Sequence, residues 1–427
     1  MYKSSVFNFW AKFSENTNIL YNGISGAIYE FSDEERSIAE KSLESTSNLD
    51  GLGNSLFEGG FLVEDSLDEV TYLLNNKTWN CNNQKILEIT ISPTYECNFR
   101  CRYCYTEFAE GIITDKIENT IITFLEKEIP KYDQTNINWF GGEPLLCSSA
   151  IKRMSEKIKH IGDVHKKIVL LFLTSNGYLL THQKAKVFFE SGIRYFHFTI
   201  DGDPKCHDSN RVLANGKSTY KKIFNNLLSI LKTLPGAHLT LRMNISESNI
   251  DSIFTTLDTI PHQFRNRVQL NITPIILPDE VIHPELLTKI NKSIRYGIEH
   301  GFSYFDSQIG HERSSFCNAN KLNNFQLGPD GRVYKCSPTD KPEVFVGKLN
   351  EDGSIILNEN YLKWHSNDGF SDGCKSCIYL CFCLGGCRLN NLRDFTEKSC
   401  KIKFEDIDNM IINKYLAVQN ENSSKSN

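Results

Sequence analysis

Residues 96–105 read ECNFRCRYCY, with three cysteines inside eight positions: Cys97, Cys101 and Cys104. The stretch follows at once on ILEITIS (86–92), a short apolar run of the kind buried in a parallel sheet. Zinc sites favour CxxC pairs completed by a second pair or by histidines, so a lone C-x3-C-x2-C is one ligand short. Three is the informative number. A [4Fe–4S] cluster held by three thiolates keeps one iron open, as a catalytic zinc keeps one position, for a small molecule.

Outward from this stretch a regular alternation runs along the chain. Candidate strands are 86–92, 137–140, 168–174, 194–200, 238–245 and 268–275, with helix-like stretches at 116–128, 148–160, 182–191, 217–233 and 249–259. Six β/α repeats predict an α/β fold, a parallel barrel or partial barrel with its helices outside. Chemistry in such folds collects in the loops after the strands' C-terminal ends. The cysteine stretch follows the first strand, and GGEP (141–144) follows the second. Two glycines there allow close approach of the backbone to a ligand, and the Glu143 carboxylate can pair with an ammonium.

On the N-terminal side, residues 1–80 read as a small mixed unit. Asn22–Gly23 is a hairpin signal, a polar helical stretch starts at Asp33, and NNKTWNCNN (75–83) reads as a linker. On the C-terminal side a helical stretch at 284–300 leads into loop-rich, cysteine-clustered residues 310–405. The end, NENSSKSN (420–427), reads as a disordered polar tail.

Composition narrows the partners. Hydrophobic content of 40% and charged content of 23% over 427 residues suit a soluble protein of two or three domains. No apolar run is long enough to span a bilayer, and no export signal is read, so a cytoplasmic protein without a membrane partner is expected. A net charge of −5 with dispersed basic residues argues against nucleic acid. Fourteen cysteines in a reducing compartment point to metal. Cys81, Cys147 and Cys206 are scattered as packing residues would be, whereas ten others fall into tight spacings.

The pattern C-x3-C-x-aromatic-C resembles the signature of the radical S-adenosylmethionine (SAM) enzymes, whose fold is a partial (β/α)6 TIM-type barrel. The resemblance implies a cluster on Cys97, Cys101 and Cys104 whose open iron is chelated by the amino and carboxylate groups of SAM. It implies Tyr103 near the adenine, and Gly141, Gly142 and Glu143 at the amino group. TSNG (174–177), TIDGD (199–203), HDSNR (207–211) and LRMN (241–244) resemble pocket-lining segments, with Thr199, Arg211 and Arg242 as ribose or carboxylate contacts. His197 and His207 read as structural. Reducing a sulfonium requires a low-potential donor, so a flavodoxin or ferredoxin is an implied partner.

Downstream, Cys317-x13-Gly331-x4-Cys336, then Cys374-x2-Cys377-x5-Cys383-x3-Cys387, then Cys400 resembles the SPASM domain more than a zinc ribbon. That domain carries two auxiliary [4Fe–4S] clusters, three clusters in all. The resemblance assigns Cys317, Cys336 and Cys387 to the first, and Cys374, Cys377, Cys383 and Cys400 to the second. Some relatives add a cysteine six residues after the first, where this chain has Asn323. Either Cys381 completes that cluster or one iron is open to substrate.

LYNGISGAIYEFS (20–32) and GGFLVEDSLDE (59–69) resemble the N-terminal region of peptide maturases, where a small winged-helix-like domain takes a precursor's leader as an added strand. The implied organisation is a peptide-recognition-like domain at 1–80, the barrel at 85–280, a helical bridge at 281–309, the SPASM domain at 310–405, and a helix with disordered tail at 406–427. The implied function is installation of a C–C, ether or thioether crosslink on a ribosomally made precursor peptide. A sulfatase-type maturase forming formylglycine is the alternative, and a non-catalytic zinc module the reading from another class. No general base declares itself by spacing.

Overall fold

The first strands form where apolar and polar residues alternate. β1 (Tyr2–Ser4) leads to β2 (Asn8–Ser14), β3 (Thr17–Asn22) and β4 (Ile28–Phe31), and the last three make an antiparallel meander. In this computed structural model the described residues are 1–44, 49, 51–82, 85–104, 111–275, 283–304, 317–336, 344–366, 372–386, 388–389 and 406–425. The hairpin predicted at Asn22–Gly23 joins β3 to β4 antiparallel, through a loop wider than two residues in which Asn22 Oδ1 accepts the N–H groups of Ile24 (2.9 Å) and Ser25 (2.8 Å). Helix α1 (Asp33–Leu43) starts at a reciprocal capping box between Ser32 and Glu35. After α2 (Gly51–Glu58), β5 (Leu62–Glu64) returns to pair with β1.

Helix α3 (Glu69–Asn82) corrects the linker expected at 75–83. Leu73 and Cys81 are buried on it, two turns apart on one face, and Thr78 bonds back to the Leu74 carbonyl. The polar sequence hid a helix that buries Leu73 and Cys81 while leaving Tyr72 and Trp79 exposed.

The barrel sheet then builds in chain order. Its strands and helices are β6 (Ile86–Ile91), a short β7 (Phe99–Cys101), α4 (Asp115–Glu128), β8 (Gln134–Trp139), α5 (Ser148–His165), β9 (Ile168–Thr174), α6 (His182–Glu190) and β10 (Ile193–Thr199). There follow α7 (Pro204–Asn210), β11 (Arg211–Leu213), α8 (Tyr220–Thr233), β12 (His238–Ile245), α9 (Ile253–Asp258), α10 (His262–Arg265) and β13 (Val268–Pro274). Strands β6, β8, β9, β10, β12 and β13 are parallel neighbours in that sequence, a singly wound α/β sheet. One face is apolar: Ile137, Trp139, Leu171, Leu173, Phe196 and Phe198 are fully buried in the main core with the helices. The other face carries half-buried Asn136, Asn138, Thr174, His197, Arg242 and Asn244. The strands therefore alternate in character more than their apolar sequences suggested.

The expected boundaries around 280 and 310 do not interrupt the sheet. After α11 (Pro284–Glu299), β14 (Ser303–Tyr304) joins β13 in parallel, so the bridge adds a strand as well as a helix. At the opposite edge β15 (Asn324–Leu327) runs parallel to β6. Strands β16 (Arg332–Tyr334), β17 (Gly347–Leu349) and β18 (Ile355–Leu357) continue from it antiparallel, giving one mixed sheet of eleven strands. Short helices α12 (Glu359–His365), α13 (Asp372–Lys375) and α14 (Leu380–Cys383) carry the cysteine-rich segment.

The last helix, α15 (Ile407–Lys425), corrects the disordered tail expected from Asn420. It docks along α11 through Asn413 Nδ2 to Asn291 O (3.0 Å), Arg295 to Asn409 Oδ1 (2.6 Å) and Asn420 Nδ2 to Ile298 O (3.1 Å). Pairing with an existing helix orders a segment too polar to fold alone. No helix among the described residues is long and apolar enough to cross a membrane.

A second core joins the two ends of the chain: Phe9, Tyr21, Phe382, Leu384, Ile411 and Tyr415 pack together. Phe382 lies 4.9 Å from the Phe9 ring and stacks 6.0 Å from Tyr21. Phe382→Ala should therefore lower stability by about 3–5 kcal/mol, measured by chemical denaturation, and speed proteolysis of the N-terminal unit.

Candidate active site

The cysteine loop leaves β6 and is held by a two-strand pairing in which Cys101 on β7 faces Arg211 on β11. Cys97 and Cys101 pack against the main core, and Cys104 is exposed. The Phe99 N–H donates to Cys97 Sγ at 3.4 Å. Burial pushes the Cys97 thiol up to about 12 and raises Cys101 as well, with Arg211 opposing the rise at Cys101. Such thiols give up their protons to a metal rather than to water. Among the described residues no three Cys, His, Asp or Glu groups converge on a point where one ion would sit. A four-iron cluster asks for less convergence, since each thiolate binds a different iron.

GGE packs against the same loop. Gly142 N–H donates to Thr94 O (3.1 Å) and Glu143 N–H to Glu96 O (2.8 Å), one residue before Cys97. A Cβ on Gly141, whose φ is +125°, would lie 2.4 Å from Thr94 O, and one on Gly142 would lie 2.2 Å from Glu96 O. The two glycines are thus required by contact with the protein's own backbone, as well as by any ligand. Glu143 is fully buried, and its carboxylate accepts from Leu145 N–H (3.0 Å), Ser175 Oγ (2.9 Å) and Asn176 N–H (2.8 Å). Asn176 Nδ2 in turn donates to Asn98 Oδ1 at 2.8 Å. The loops after β6, β8 and β9 are tied together through this one carboxylate.

On the far side, Asp201 after β10 is wholly buried beside Arg211, 3.7 Å from its Nη1. Tyr103 OH donates to Asp201 and accepts from Arg211 (2.5 Å) and Asn244 Nδ2 (3.0 Å). Asn244 N–H donates to Asp201 Oδ1 at 2.8 Å. Burial raises Asp201, and Arg211, lying among anionic partners, stays charged. Arg211 Nε is buried without a hydrogen-bond partner among the described residues, a donor left for an anion on the Cys101 side. This donor and the three thiols fit an anionic cluster with its bound SAM carboxylate.

His207 supports the pair from behind. Asp201 N–H donates to its Nδ1 (3.2 Å), which puts the proton on Nε2, facing Thr219 Oγ1 at 3.0 Å, and Thr219 donates to Arg211 O at 2.6 Å. Burial and Arg211 hold His207 near 3; burial and Arg242 hold His197 near 4. Thr199 ends β10 opposite Arg242 on β12, and Arg242 reaches Asn244 Oδ1 (3.0 Å) and Asn271 Oδ1 (3.2 Å). Thr199, Arg242 and the Tyr103–Arg211 group thus meet at one end of the sheet. The segments holding Asp201, Asn244 and Asn176 stood out in the sequence but these residues within them did not; their signal is a polar residue at the C-terminal end of an apolar strand or just after it.

Among the downstream cysteines, Cys317 and Cys336 pack on one small core of Ala319, Trp364 and Leu389. Trp364 Nε1 donates to Ala319 O (2.9 Å), and Arg388 Nε donates to Trp364 O (2.8 Å). Cys374 and Cys383 pack on the other core, with Cys377 between them in sequence. Cys387 and Cys400 lie outside the described residues. The Cys381 thiol is seated against the N-terminal unit, where a Cβ on Gly23 would come within 2.4 Å of it.

Asp201→Ala leaves the Arg211 charge buried and unpaired, so it should cost about 3–5 kcal/mol in a denaturant titration. His197 and His207 are neutral when folded and regain ordinary basicity on unfolding, so the unfolded chain binds more protons below about pH 6.5. Stability should fall by on the order of 1 kcal/mol per pH unit for each histidine as pH drops from 6.5 towards 4. His207→Gln should flatten that slope.

The radical SAM superfamily model matches residues 91–260. The radical SAM cyclopropyl synthase TigE of Paramaledivibacter caminithermalis is 22% identical over 384 residues, covering 80% of this chain and 77% of TigE. A cysteine-type anaerobic sulfatase-maturating enzyme of Clostridium novyi is 25% identical over 344 residues, covering 73% of this chain and 90% of that one. Among solved structures, Streptococcus suis SuiB bound to its precursor peptide SuiA matches with a TM-score of 0.53 at 12% identity, over 94% of this chain and 99% of that one. With the three-cysteine loop and GGE braced at the mouth of a parallel sheet, the match over residues 91–260 marks a radical SAM domain in a chain similar to TigE and to a sulfatase-maturating enzyme.

Proposed function

We propose that the protein is a radical SAM/SPASM peptide maturase that installs a C–C, ether or thioether crosslink on a ribosomally made precursor peptide. The observation that carries this reading is the N-terminal unit. Compared as structures, anSMEcpe with a bound peptide covers 80% of this chain along 99% of its own length, whereas SuiB bound to the precursor peptide SuiA covers 94% of this chain. The described residues of 1–82 hold two small sheets and three helices, suited to a winged-helix-like role in which a leader adds as a strand.

Family membership implies SAM and a [4Fe–4S] cluster, which together supply a 5′-deoxyadenosyl radical able to take hydrogen from an unactivated carbon. This chain's own residues bind and orient. Cys97, Cys101 and Cys104 would hold the cluster, with Tyr103, Gly141, Gly142, Thr199, Arg211 and Arg242 around SAM. Glu143 would act chiefly by fixing the GGE backbone, since its carboxylate already accepts three hydrogen bonds. Cys317, Cys336 and Cys387 would hold one auxiliary cluster, and Cys374, Cys377, Cys383 and Cys400 the other, to accept the electron that a crosslinked product must lose. The half-buried polar face of the sheet would hold the peptide away from bulk water.

Reconstituted anaerobically, the chain should bind about twelve irons, as three [4Fe–4S] clusters require, and form 5′-deoxyadenosine with SAM and reductant. Changing Cys97, Cys101 and Cys104 to Ala should abolish 5′-deoxyadenosine and leave about eight irons. Incubated with short peptides encoded beside its gene, the enzyme should remove two hydrogens per crosslink. Conversion of a cysteine-containing sulfatase peptide to its aldehyde would instead establish the alternative. Stoichiometric zinc without 5′-deoxyadenosine would sink both.

A further inference from the structure

The ribbon that carries the cysteine loop is basic, in a chain whose net charge is −5. Strands β7 and β11 with their flanks, residues 98–104 and 209–222, hold Arg100, Arg102, Arg211, Lys217, Lys221 and Lys222 and no carboxylate. Arg211 is buried against Asp201, and the other five are exposed. Strand pairing brings them together: Arg100 faces Val212 across the ribbon, the Arg102 N–H donates to Asn210 O (3.0 Å), and the Leu213 N–H donates to Lys217 O (3.0 Å). The Lys222 ammonium lies 4.0 Å from the centroid of the Tyr178 ring, which meets the Phe99 ring edge-on at 5.9 Å. Phe99 stands between Cys97 and Cys101 in the loop, so these rings lead from the basic surface to the cysteines. The exposed Cys104 ends the same stretch. Among the described residues Arg102, Lys217, Lys221 and Lys222 form no ion pair. Lys221 and Lys222 stand in the first turn of α8, which has no acidic residue there, and the helix dipole disfavours cations at that end. The Asp208 carboxylate accepts the N–H groups of Thr219 (2.7 Å) and Tyr220 (2.9 Å) and pairs with neither lysine. Positive charge gathered at the unfavourable end of a helix, on a chain negative as a whole, fits an anionic partner.

We propose that this surface docks an acidic protein carrying a low-potential one-electron centre, which reduces the cluster held by Cys97, Cys101 and Cys104. The proposal deepens the reading of those cysteines above and rests on it. One electron passes: the carrier is oxidised, the cluster is reduced, and no bond in either chain forms or breaks. A peptide substrate must enter to the polar face of the sheet beside Thr199 and Arg242, whereas an electron needs only a short path from the outside, which the ribbon offers. Complementary charge suits such a complex, which must form and part quickly over a small interface.

The test uses the full chain, reconstituted anaerobically, with a flavodoxin and, in parallel, an acidic ferredoxin as probes. Binding is followed by isothermal titration calorimetry at low and at physiological salt. Formation of 5′-deoxyadenosine from SAM is measured twice, driven by the reduced carrier and by dithionite. Combining Lys217→Glu, Lys221→Glu and Lys222→Glu should weaken carrier binding, and lower the carrier-driven rate at sub-saturating carrier, by about tenfold or more. The dithionite-driven rate should stay unchanged. The milder combination of Lys217→Gln, Lys221→Gln and Lys222→Gln, its fold checked by circular dichroism, should fall between, and wild-type binding should weaken as salt rises. Neither carrier binding the wild type, equal binding to wild-type and charge-reversed chains, or a dithionite-driven rate that falls in step with the carrier-driven one, overturns the proposal. So does unchanged carrier affinity with a raised KM for an acidic precursor peptide, which would give the surface to the substrate. No 5′-deoxyadenosine from the wild type with dithionite overturns the reading of the cysteine loop itself, and the proposal falls with it.

Discussion

A carboxylate shut away from water must find its hydrogen bonds within the protein, and two such carboxylates hold the cysteine loop from opposite sides. Glu143 gathers the loops after β8 and β9 and reaches the cysteine loop through Asn176 and Asn98. Asp201 gathers Tyr103, Arg211 and Asn244. Neither group is near solvent, so each is satisfied only while the loops stay in register. Loops at the mouth of a barrel are otherwise its least constrained part. Here they inherit the rigidity of the sheet.

The sheet itself does more than support the barrel. By pairing β15 with β6 it carries the cysteine-rich region on the same hydrogen-bonded ladder that leads into the cysteine loop. A region attached through a shared strand ladder cannot swing independently of the sheet. The N-terminal unit is fastened to the same region by Phe9, Tyr21 and Phe382 and by α3. Its distance from the cysteine loop in sequence is thus misleading about its place in the molecule.

Electrostatics follow from these contacts. Arg211 and Lys335 are both buried, one beside Cys101 and the other beside Cys81 and Cys317. A buried cation costs much without a partner, and each has one: Asp201 lies 3.7 Å from Arg211, and the Lys335 ammonium donates to the Lys321 and Asn324 carbonyls.

By itself the sequence determined the β/α alternation, the position of the cysteine loop after the first strand and GGE after the second, because these signals are local: a run of apolar residues, a spacing, a pair of glycines. Strand limits followed closely, as for 168–174, which β9 matches residue for residue. Only the tertiary structure decided that 75–82 is helical, that the polar tail is ordered, and that Glu143 spends its carboxylate on backbone N–H groups. Those outcomes depend on what a segment packs against. A polar helix folds when another segment waits to receive it: α15 docks on α11, and the end of α3 is held where the Leu322 N–H reaches the Cys81 carbonyl. Spacing along the chain records local geometry, and contacts between distant residues are set by the sheet that brings them together.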